Sequence, residues 1–177
     1  MKLATLLLSS LLLLGCAATP QRPLPQPSQA VDVERFLGRW YIIANIPYVF
    51  ERGKVGSYVE YRARDDGRIG DHYFAREGSL EAPLEESAGV AEVVDTKTNA
   101  HWRAQFIWPL WASFHILYVD EAYRHALIGH PSREYAWIYA REPRVDPAVL
   151  EVLFRRLEAA GYRRSQLVLV PQLDSVD

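Results

Sequence analysis

Between residues 38 and 141 the chain alternates short runs of apolar and β-prone residues with turn residues. This pattern predicts eight short strands joined mostly by short connections. We place them at residues 40–46, 55–64, 68–75, 89–95, 100–107, 113–119, 124–129 and 135–141. Strands in such a series pair with their neighbours in an antiparallel meander, and closing the sheet removes both of its edges. The predicted fold class is therefore all-β, an eight-stranded antiparallel up-and-down barrel.

The period changes after the eighth strand, where apolar residues recur at helical spacing. Asp146 is a helix-capping residue, Pro147 suits the first turn, and Gly161 ends the helix. The apolar stripe consists of Val149, Leu150, Leu153, Phe154 and Leu157. It predicts a C-terminal α-helix packed on the outside of the barrel. A helical turn at 31–37 and a last short strand at 166–170 complete the predicted domain.

The first residues have the form of an export signal. A short positive start is followed by an apolar run at 6–14, which is too short to span a bilayer as a helix. The four residues that end at Cys16 (LLGC) resemble the bacterial lipoprotein box, in which the signal is cut before the cysteine and the cysteine is lipidated. A plain signal peptide with a chance cysteine is the alternative. We expect a lipoprotein signal at 1–15, a Pro-rich tether at 16–30 and one domain at 31–177.

Composition and charge exclude several classes of function. The formal net charge of −2 provides no basic surface for nucleic acid. The single cysteine rules out an intrachain disulfide, and the five histidines show no metal-ligand spacing. The sequence has no nucleophile elbow, phosphate-binding loop or dinucleotide fingerprint. We therefore expect no enzyme activity, no cofactor and no metal. The aromatic content of 12% suits a β-rich structure or an aromatic-lined pocket.

Three short motifs occur in order along the predicted strands. They are GRWY at 38–41, DEAYRHAL at 120–127 and WIYAR at 137–141. Together they resemble the motifs of the lipocalins, in particular the bacterial lipocalins, with apolipoprotein D as an animal relative. The second motif lacks the threonine that the family often has there. The resemblance extends from about residue 33 to residue 170 and implies a barrel with room for side chains or one small ligand.

Counting the strands up and down places the start of the first and the end of the eighth at one end of the barrel, which we call the base. Trp40 and Arg141 therefore meet there, together with the turn that carries Asp120 and Tyr123. An arginine over the face of a tryptophan makes a cation–π contact worth roughly 0.5–2 kcal/mol. The resemblance implies that these residues, with Gly38, close the barrel and have no catalytic role.

The same count places four loops at the opposite end, which we call the mouth: 47–54, 76–87, 108–112 and 130–134. The predicted mouth residues are Phe50, Arg52, Trp108 and Trp111. Exposed aromatic side chains at a mouth suggest ligand entry, membrane contact or a dimer patch. The alternative is that they fold back into the lip of the barrel. Arg52 or Arg133 could hold a headgroup or a carboxylate.

Period-two alternation assigns the side chains that face the interior. It predicts a ligand-binding cavity lined by Ile42, Ala44, Val59, Tyr61, Trp102, Phe106, Trp137 and Tyr139. Ile46 follows Ala44 in the same alternation. Two alternations compete in the strand at 113–119, so its inward face stays open. An interior this aromatic and uncharged would accept an acyl chain or a flat apolar molecule. A barrel filled by its own side chains is the rival interpretation.

The lipoprotein box, the closure motifs and the aromatic interior together predict a lipid-anchored lipocalin that binds or transports a lipophilic ligand. The resemblance implies a lysophospholipid or a fatty acid, and a role in envelope maintenance or stress. By the enterobacterial sorting rule, Ala17 implies the outer membrane, on its periplasmic side. Two alternatives stay open: a structural lipoprotein with a filled barrel and a partner-binding mouth, and an enzyme acting on lipids or isoprenoids. The sequence leaves monomer and homodimer undecided.

Overall fold

Nine strands and two α-helices make up the part of the chain that the structure, a computed structural model, describes: residues 23–173. The strands are β1 (Gly38–Ile46), β2 (Lys54–Ala63), β3 (Ile69–Glu77), β4 (Glu85–Val93), β5 (His101–Ile107), β6 (Leu110–Val119), β7 (His125–Gly129), β8 (Ala136–Ala140) and β9 (Val168–Leu169). The helices are α1 (Val33–Phe36) and α2 (Pro147–Ala159), with 3-10 turns at Val49–Glu51 and Arg164–Gln166. The predicted lipidation site, Cys16, lies outside the described residues.

The strands β1 to β8 close into a barrel, which confirms the predicted fold class. Each strand pairs antiparallel with the next along the chain, and β1 pairs with both β2 and β8. The short strand β9 pairs antiparallel with Ala44 and Asn45 of β1 and is the ninth strand of the sheet. Closure leaves no free edge between β1 and β8, so the interior can be reached only from the two ends of the barrel or through the seam described next.

β1 and β2 diverge toward the mouth, and the C-terminal segment fills the opening between them. Their pairing covers only residues 38–41 against 58–61. Beyond it, the side-chain amide of Gln172 donates to the carbonyl oxygens of Ile42 (2.8 Å) and Ser57 (3.0 Å). Because one amide bridges both strands, the wall stays continuous across the seam.

Helix α2 forms as its capping residues predict and covers the outside of the barrel. The Asp146 carboxylate accepts hydrogen bonds from the backbone N–H groups of Ala148 (2.8 Å) and Val149 (3.4 Å). The apolar stripe buries Leu153, Phe154 and Leu157 against outward-facing residues of β1, β7 and β8. No helix among residues 23–173 is long and apolar enough to cross a membrane.

The buried apolar residues therefore form two separate clusters, one on each face of the barrel wall. The inner cluster fills the barrel and includes Phe36, Trp40 and Trp102. The outer cluster joins α2 to the wall and includes Leu127 and Ile138. Successive side chains of a strand point alternately to the inner and the outer cluster. One extra residue in a strand therefore moves each later side chain to the opposite cluster.

Two predicted loops at the mouth are shorter in the structure than in the sequence analysis. β4 begins at Glu85 instead of residue 89, because Glu85 pairs with Ala75 at the end of β3. β6 begins at Leu110, which pairs with Ile107, so the predicted loop shrinks to the Trp108–Pro109 turn. The proline occupies the turn itself, where it removes no ladder hydrogen bond.

Candidate functional site

Arg141 holds the base of the barrel closed. Its guanidinium lies 3.7 Å from the centroid of the Trp40 ring. The same group donates hydrogen bonds to four carbonyl oxygens, those of Arg35 (2.7 Å), Leu37 (2.9 Å), Arg39 (2.6 Å) and Tyr123 (3.3 Å). Burial lowers the pKa of Arg141 to about 10, so the side chain still carries its charge at neutral pH. The structure thus brings Trp40 and Arg141 together at the end of the barrel where closure was expected.

Asp120 and Tyr123 lie at the same end, in the turn between β6 and β7. The Asp120 carboxylate accepts hydrogen bonds from the backbone N–H groups of Arg124 (2.8 Å) and His125 (3.0 Å). Tyr123 has a φ of 54°, and its hydroxyl accepts a hydrogen bond from the backbone N–H of Asp32 at 2.8 Å. The turn therefore fixes the segment that leads into α1.

Gly38 allows β1 to begin directly against Arg141. Its φ is +88°, in the left-handed region that favours glycine. A Cβ at this position would lie 3.5 Å from Nη1 of Arg141. The positive φ, and not a lack of space, therefore explains the glycine at this position.

Four aromatic residues fill the interior just above the base. The rings of Phe36, Trp40, Tyr61 and Trp102 lie with centroids 4.9 to 5.9 Å apart. Both indole N–H groups are satisfied: Trp40 donates to the carbonyl of Phe36, and Trp102 to the carbonyl of Asn99, each at 2.7 Å. The floor of the barrel is therefore packed with the protein's own side chains.

Six of the eight predicted cavity residues belong to the inner cluster. They are Ile42, Val59, Tyr61, Trp102, Trp137 and Tyr139. A seventh, Phe106, lies at the rim and is 42% exposed. A Cβ on Gly89 would meet the Phe106 ring at 2.9 Å, so the ring lies over the inner face of Gly89.

The eighth predicted cavity residue, Ala44, faces outward, so its prediction is wrong. Ile42 pairs with Tyr139 and Ala44 with Ile138, which leaves one extra residue, Ile43, in β1. This β-bulge reverses the alternation beyond it. Ala44 consequently joins the outer cluster under α2, and Ile46 joins it too.

The bulge turns Asn45 inward in place of Ala44. Asn45 pairs with Trp137, a member of the inner cluster, and is buried. A second bulge settles the strand whose inward face the sequence left open. In β6 the register shifts between Ile116 and Tyr118, so Phe114, Ile116 and Val119 face inward. Tyr118 faces outward, where the Arg156 guanidinium covers its ring.

The interior contains a buried carboxyl group, Glu51, that the sequence analysis did not assign. It belongs to the 3-10 turn of the first mouth loop, and its side chain points into the barrel. Trp137 Nε1 donates to Glu51 Oε1 at 2.9 Å, and the backbone N–H of Tyr48 donates to Oε2 at 2.8 Å. Burial raises the pKa of Glu51 to about 7, although both hydrogen bonds oppose the shift. Glu51 therefore anchors the mouth loop to the inner wall.

Asp71 is a second buried carboxyl group in the interior. It pairs with Tyr61 of β2 and Gly89 of β4, which places its side chain on the inner face. It is only 4% exposed, and its Oδ1 atom has no hydrogen-bond partner within residues 23–173. Burial raises the pKa of Asp71 to about 7. The expectation of an uncharged interior is therefore wrong, since two acidic residues are built into it.

Alternation along β3 is the signal that could have revealed Asp71. Ile69 and Tyr73 lie on its face of the strand and contact the inner cluster. The opposite face is not clearly polar, however, because Phe74 lies there and stacks on Tyr58 with centroids 4.7 Å apart. With apolar residues on both faces, alternation alone could not choose the inward one.

The mouth presents exposed apolar side chains on two of its loops. They are Val49, Phe50, Ile107, Trp108 and Leu110, exposed between 64% and 83%. Trp111 differs from them, because its ring lies 4.4 Å from the guanidinium of Arg103 on the outer wall. The alternative that the mouth aromatics fold back into the lip does not hold for Phe50 and Trp108.

The two arginines considered as headgroup anchors have different surroundings. Arg52 is exposed in the first mouth loop. Arg133 donates to the carbonyl oxygen of Ala160 at 2.8 Å, at the end of α2 on the outside of the barrel. Among residues 23–173 no group of three or more His, Cys, Asp or Glu side chains is arranged to hold a metal ion.

The sequence of this chain is similar to known proteins. The sequence model of one family, described as a lipocalin-like domain, matches residues 31–172. The outer membrane lipoprotein Blc of Vibrio cholerae is 29% identical over 175 residues, covering 97% of this chain and 99% of that protein. Its namesake in Escherichia coli K12 is 30% identical over 168 residues, covering 93% of this chain and 92% of the relative.

A more distant relative and a solved structure are also similar to this chain. Mouse apolipoprotein D is 26% identical over 164 residues, covering 88% of this chain and 84% of its own. Among solved structures, insecticyanin from the tobacco hornworm Manduca sexta superimposes with a TM-score of 0.67 at 17% identity, and 86% of each chain is covered. At that identity the superposition supports the barrel fold alone.

Proposed function

The chain belongs to the lipocalin family, and from that premise we propose that it binds a single-chain lipid in its barrel while an N-terminal lipid holds it at the outer membrane. The Blc relatives from Vibrio and Escherichia are named outer membrane lipoproteins. In this chain Cys16 is the residue that would carry the anchor. The proposal is for binding and transport, as in the family generally, and not for catalysis.

One contrast within the barrel carries the proposal. Trp40 and Trp102, near the base, are completely buried, whereas Phe106, on the same inner face near the mouth, is 42% exposed. Inward-facing apolar surface that remains accessible is what an acyl chain would cover. Burying a chain of about fourteen methylenes would contribute roughly 11 kcal/mol before the costs of association.

The path of the tether supports an orientation with the mouth toward the membrane. At the base, the backbone N–H of Val31 donates to the carbonyl of Thr98 at 2.7 Å. Residues 25–28 then line a groove of about 490 Å³ on the outer wall, beside Leu117 and Ala160. At the mouth end, Arg133 Nη2 lies 3.4 Å from the carbonyl oxygen of Pro23.

The tether therefore runs from base to mouth as the chain is followed back toward Cys16. About seven residues separate Pro23 from Cys16, and they reach at most about 25 Å even if fully extended. A lipid on Cys16 would thus keep the mouth within that distance of the bilayer. The exposed side chains of Phe50 and Trp108 would face the lipid headgroups, where a lipid ligand would enter and leave.

Native mass spectrometry with lipid extraction tests the ligand. We would use the mature chain from residue 16 with Cys16→Ser, purified from a bacterial host, so that no anchor is present. A co-purifying single-chain lipid at one per barrel is the expected result, and its mass distinguishes a lysophospholipid from a free fatty acid. A clean apo mass, with no tryptophan quenching by added long-chain lipid, would contradict the proposal.

The same preparation tests the alternative, in which the barrel is full and the mouth binds a protein. In that case the exposed side chains around Trp108 would pair two copies or recruit a partner instead of a membrane. Size-exclusion chromatography with light scattering would report pairing. A concentration-dependent dimer that Trp108→Ala abolishes, together with absence of bound lipid, would favour this alternative. A lipid-loaded monomer would favour the proposed function.

A further inference from the structure

Asp71 stands out among the interior groups because one of its carboxyl oxygens, Oδ1, is buried without a hydrogen-bond partner among residues 23–173. Glu51, the other buried carboxyl group of the interior, receives two hydrogen bonds. An unpaired buried carboxyl is expensive, so it is seldom kept in a packed core without a use.

The groups that surround Asp71 do not supply a counter-charge. Its electrostatic neighbours are the phenols of Tyr61 on β2 and Tyr139 on β8, both buried. Its own pKa responds to burial alone, without a contribution from any arginine or lysine. The site therefore offers acceptor oxygens and no cation, which is the wrong chemistry for an anionic headgroup.

Gly89 and Phe106 lie on the inner face of the wall between Asp71 and the mouth. The neighbour of Asp71 across the sheet is Gly89, whose missing side chain is replaced by the Phe106 ring. That ring is partly exposed at the rim, so its outer face is open to a ligand. Ala91 and Ala104, which also face inward on β4 and β5, are small.

We propose that Asp71 is a ligand-binding residue that accepts a hydrogen bond from the polar end of a single-chain lipid, and that the barrel prefers a hydroxyl or ammonium group to a carboxylate at that position. This inference rests on the proposed function and narrows its ligand class. The chain of the ligand lies against Phe106, and its donor group reaches Oδ1 of Asp71. A free fatty acid brings a second negative charge toward Asp71 and Glu51 and binds more weakly.

Four ligands with the same eighteen-carbon tail test the preference in the mature Cys16→Ser chain at pH 8.5: oleyl alcohol, oleylamine, oleic acid and methyl oleate. Binding is followed by tryptophan quenching below the critical micelle concentration. We expect the alcohol and the amine to bind about tenfold more tightly than the acid or the ester, the ratio expected for one buried hydrogen bond. The ester has no donor and no charge, so it separates hydrogen bonding from charge repulsion.

Asp71→Asn identifies the residue responsible, since its amide can both accept from a hydroxyl and donate to a carboxylate. We expect the ratio between acid and alcohol to fall below about threefold, mainly because the acid binds better. Asp65→Asn, the same change in an exposed turn, is the matched control and should leave the ratio unchanged. Because the wild-type panel is informative by itself, a failure of Asp71→Asn to fold would not remove the test.

The outcomes separate the two proposals. If none of the four ligands binds, the proposed function fails and this inference fails with it. If all four bind with similar affinity, the proposed function stands and the role of Asp71 is overturned. If the wild type shows the preference and Asp71→Asn retains it in full, another residue binds the polar group of the ligand, and the assignment to Asp71 is wrong.

Discussion

The buried charged group at the base of the barrel is hydrogen-bonded through every one of its nitrogen atoms, whereas a buried carboxyl group in the interior lacks a hydrogen-bond partner. At the base, the Arg141 guanidinium donates to four carbonyl groups and lies over Trp40. In the interior, Asp71 Oδ1 lacks any partner within the described residues, and Glu51 has its pKa raised to about 7. Both regions are built on the same eight strands, so the fold does not dictate the difference.

This difference in hydrogen bonding distinguishes a group that stabilises the fold from a group that is available to bind a ligand. A buried charge whose hydrogen bonds are complete fixes one geometry, and removing it leaves its partners unsatisfied. A buried charge that is incomplete reduces stability and is ready to interact with something else. Removing Arg141 at the base should therefore destabilise the protein, whereas neutralising Asp71 in the interior should stabilise it while altering its ligand preference.

Arg141→Ala is the variant with the largest expected effect. It removes the cation–π contact and leaves four carbonyl groups without this donor. We therefore expect a loss on the order of 5 kcal/mol in the free energy of unfolding. Urea unfolding followed by circular dichroism measures it. Arg155→Ala, on the exposed face of α2, is the control and should change stability by less than about 0.5 kcal/mol.

Arg141→Lys sharpens the same experiment. Lysine keeps the charge but lacks the planar fork that reaches Arg35, Leu37 and Arg39 together. An intermediate loss is expected. If the lysine variant were as stable as the wild type, closure would depend on charge alone, and the contrast drawn between base and interior would lose its basis.

The contrast also shows which residues could be predicted from the sequence. Trp40 lies in a motif at the start of the first strand, and Arg141 ends a motif at the close of the eighth. In an up-and-down barrel of eight strands these two positions lie at the same end, so the contact between them is predictable from the topology. Ala44 was placed on the wrong face because the extra residue at Ile43 has no signature in a run of apolar residues. A bulge within such a run changes the face of each later residue without changing the hydrophobic pattern.

The acidic residues escaped prediction for a different reason. Glu51 lies in a mouth loop, and only the three-dimensional path of that loop turns its side chain toward Trp137. Asp71 lies in a strand with apolar residues on both faces, since Phe74 packs on Tyr58 outside the barrel. Acidic side chains are usually exposed to solvent, so the sequence predicts that both are exposed, whereas the structure buries them. Such disagreement between residue type and environment is typical of functional sites.

The second prediction concerns the pH dependence of stability. The folded-state pKa of Asp71 is about 7, against an ordinary value of 3.8. Between these values the folded protein retains a proton that the unfolded chain has released, so this group makes stability fall as pH rises from about 4 to about 7. Asp71→Asn should raise the free energy of unfolding at pH 8 by up to about 4 kcal/mol and leave it unchanged at pH 4. A variant that is less stable than the wild type at pH 8 would contradict the prediction.

The third prediction concerns the anchor of the mouth loop. Trp137→Phe removes the indole N–H that donates to Glu51, whose pKa is about 7. The bond is stronger when the carboxyl group is ionised, so we expect a loss of about 2 kcal/mol at pH 8 and a smaller loss at pH 5.5. Trp111→Phe controls for the exchange of an indole for a phenyl ring. Equal losses at both pH values would mean that packing, and not the hydrogen bond, explains the effect.

The smallest effect on stability is expected at the mouth. Trp108 is 83% exposed, so Trp108→Ala should change the free energy of unfolding by less than about 0.5 kcal/mol. Its effect should instead appear at a membrane. In the lipid-anchored protein reconstituted into vesicles, brominated lipids should quench tryptophan fluorescence, and Trp108→Ala should remove most of that quenching while Trp111→Phe removes little. If Trp108→Ala left the quenching unchanged, Trp108 would not face the bilayer, contrary to the path of the tether.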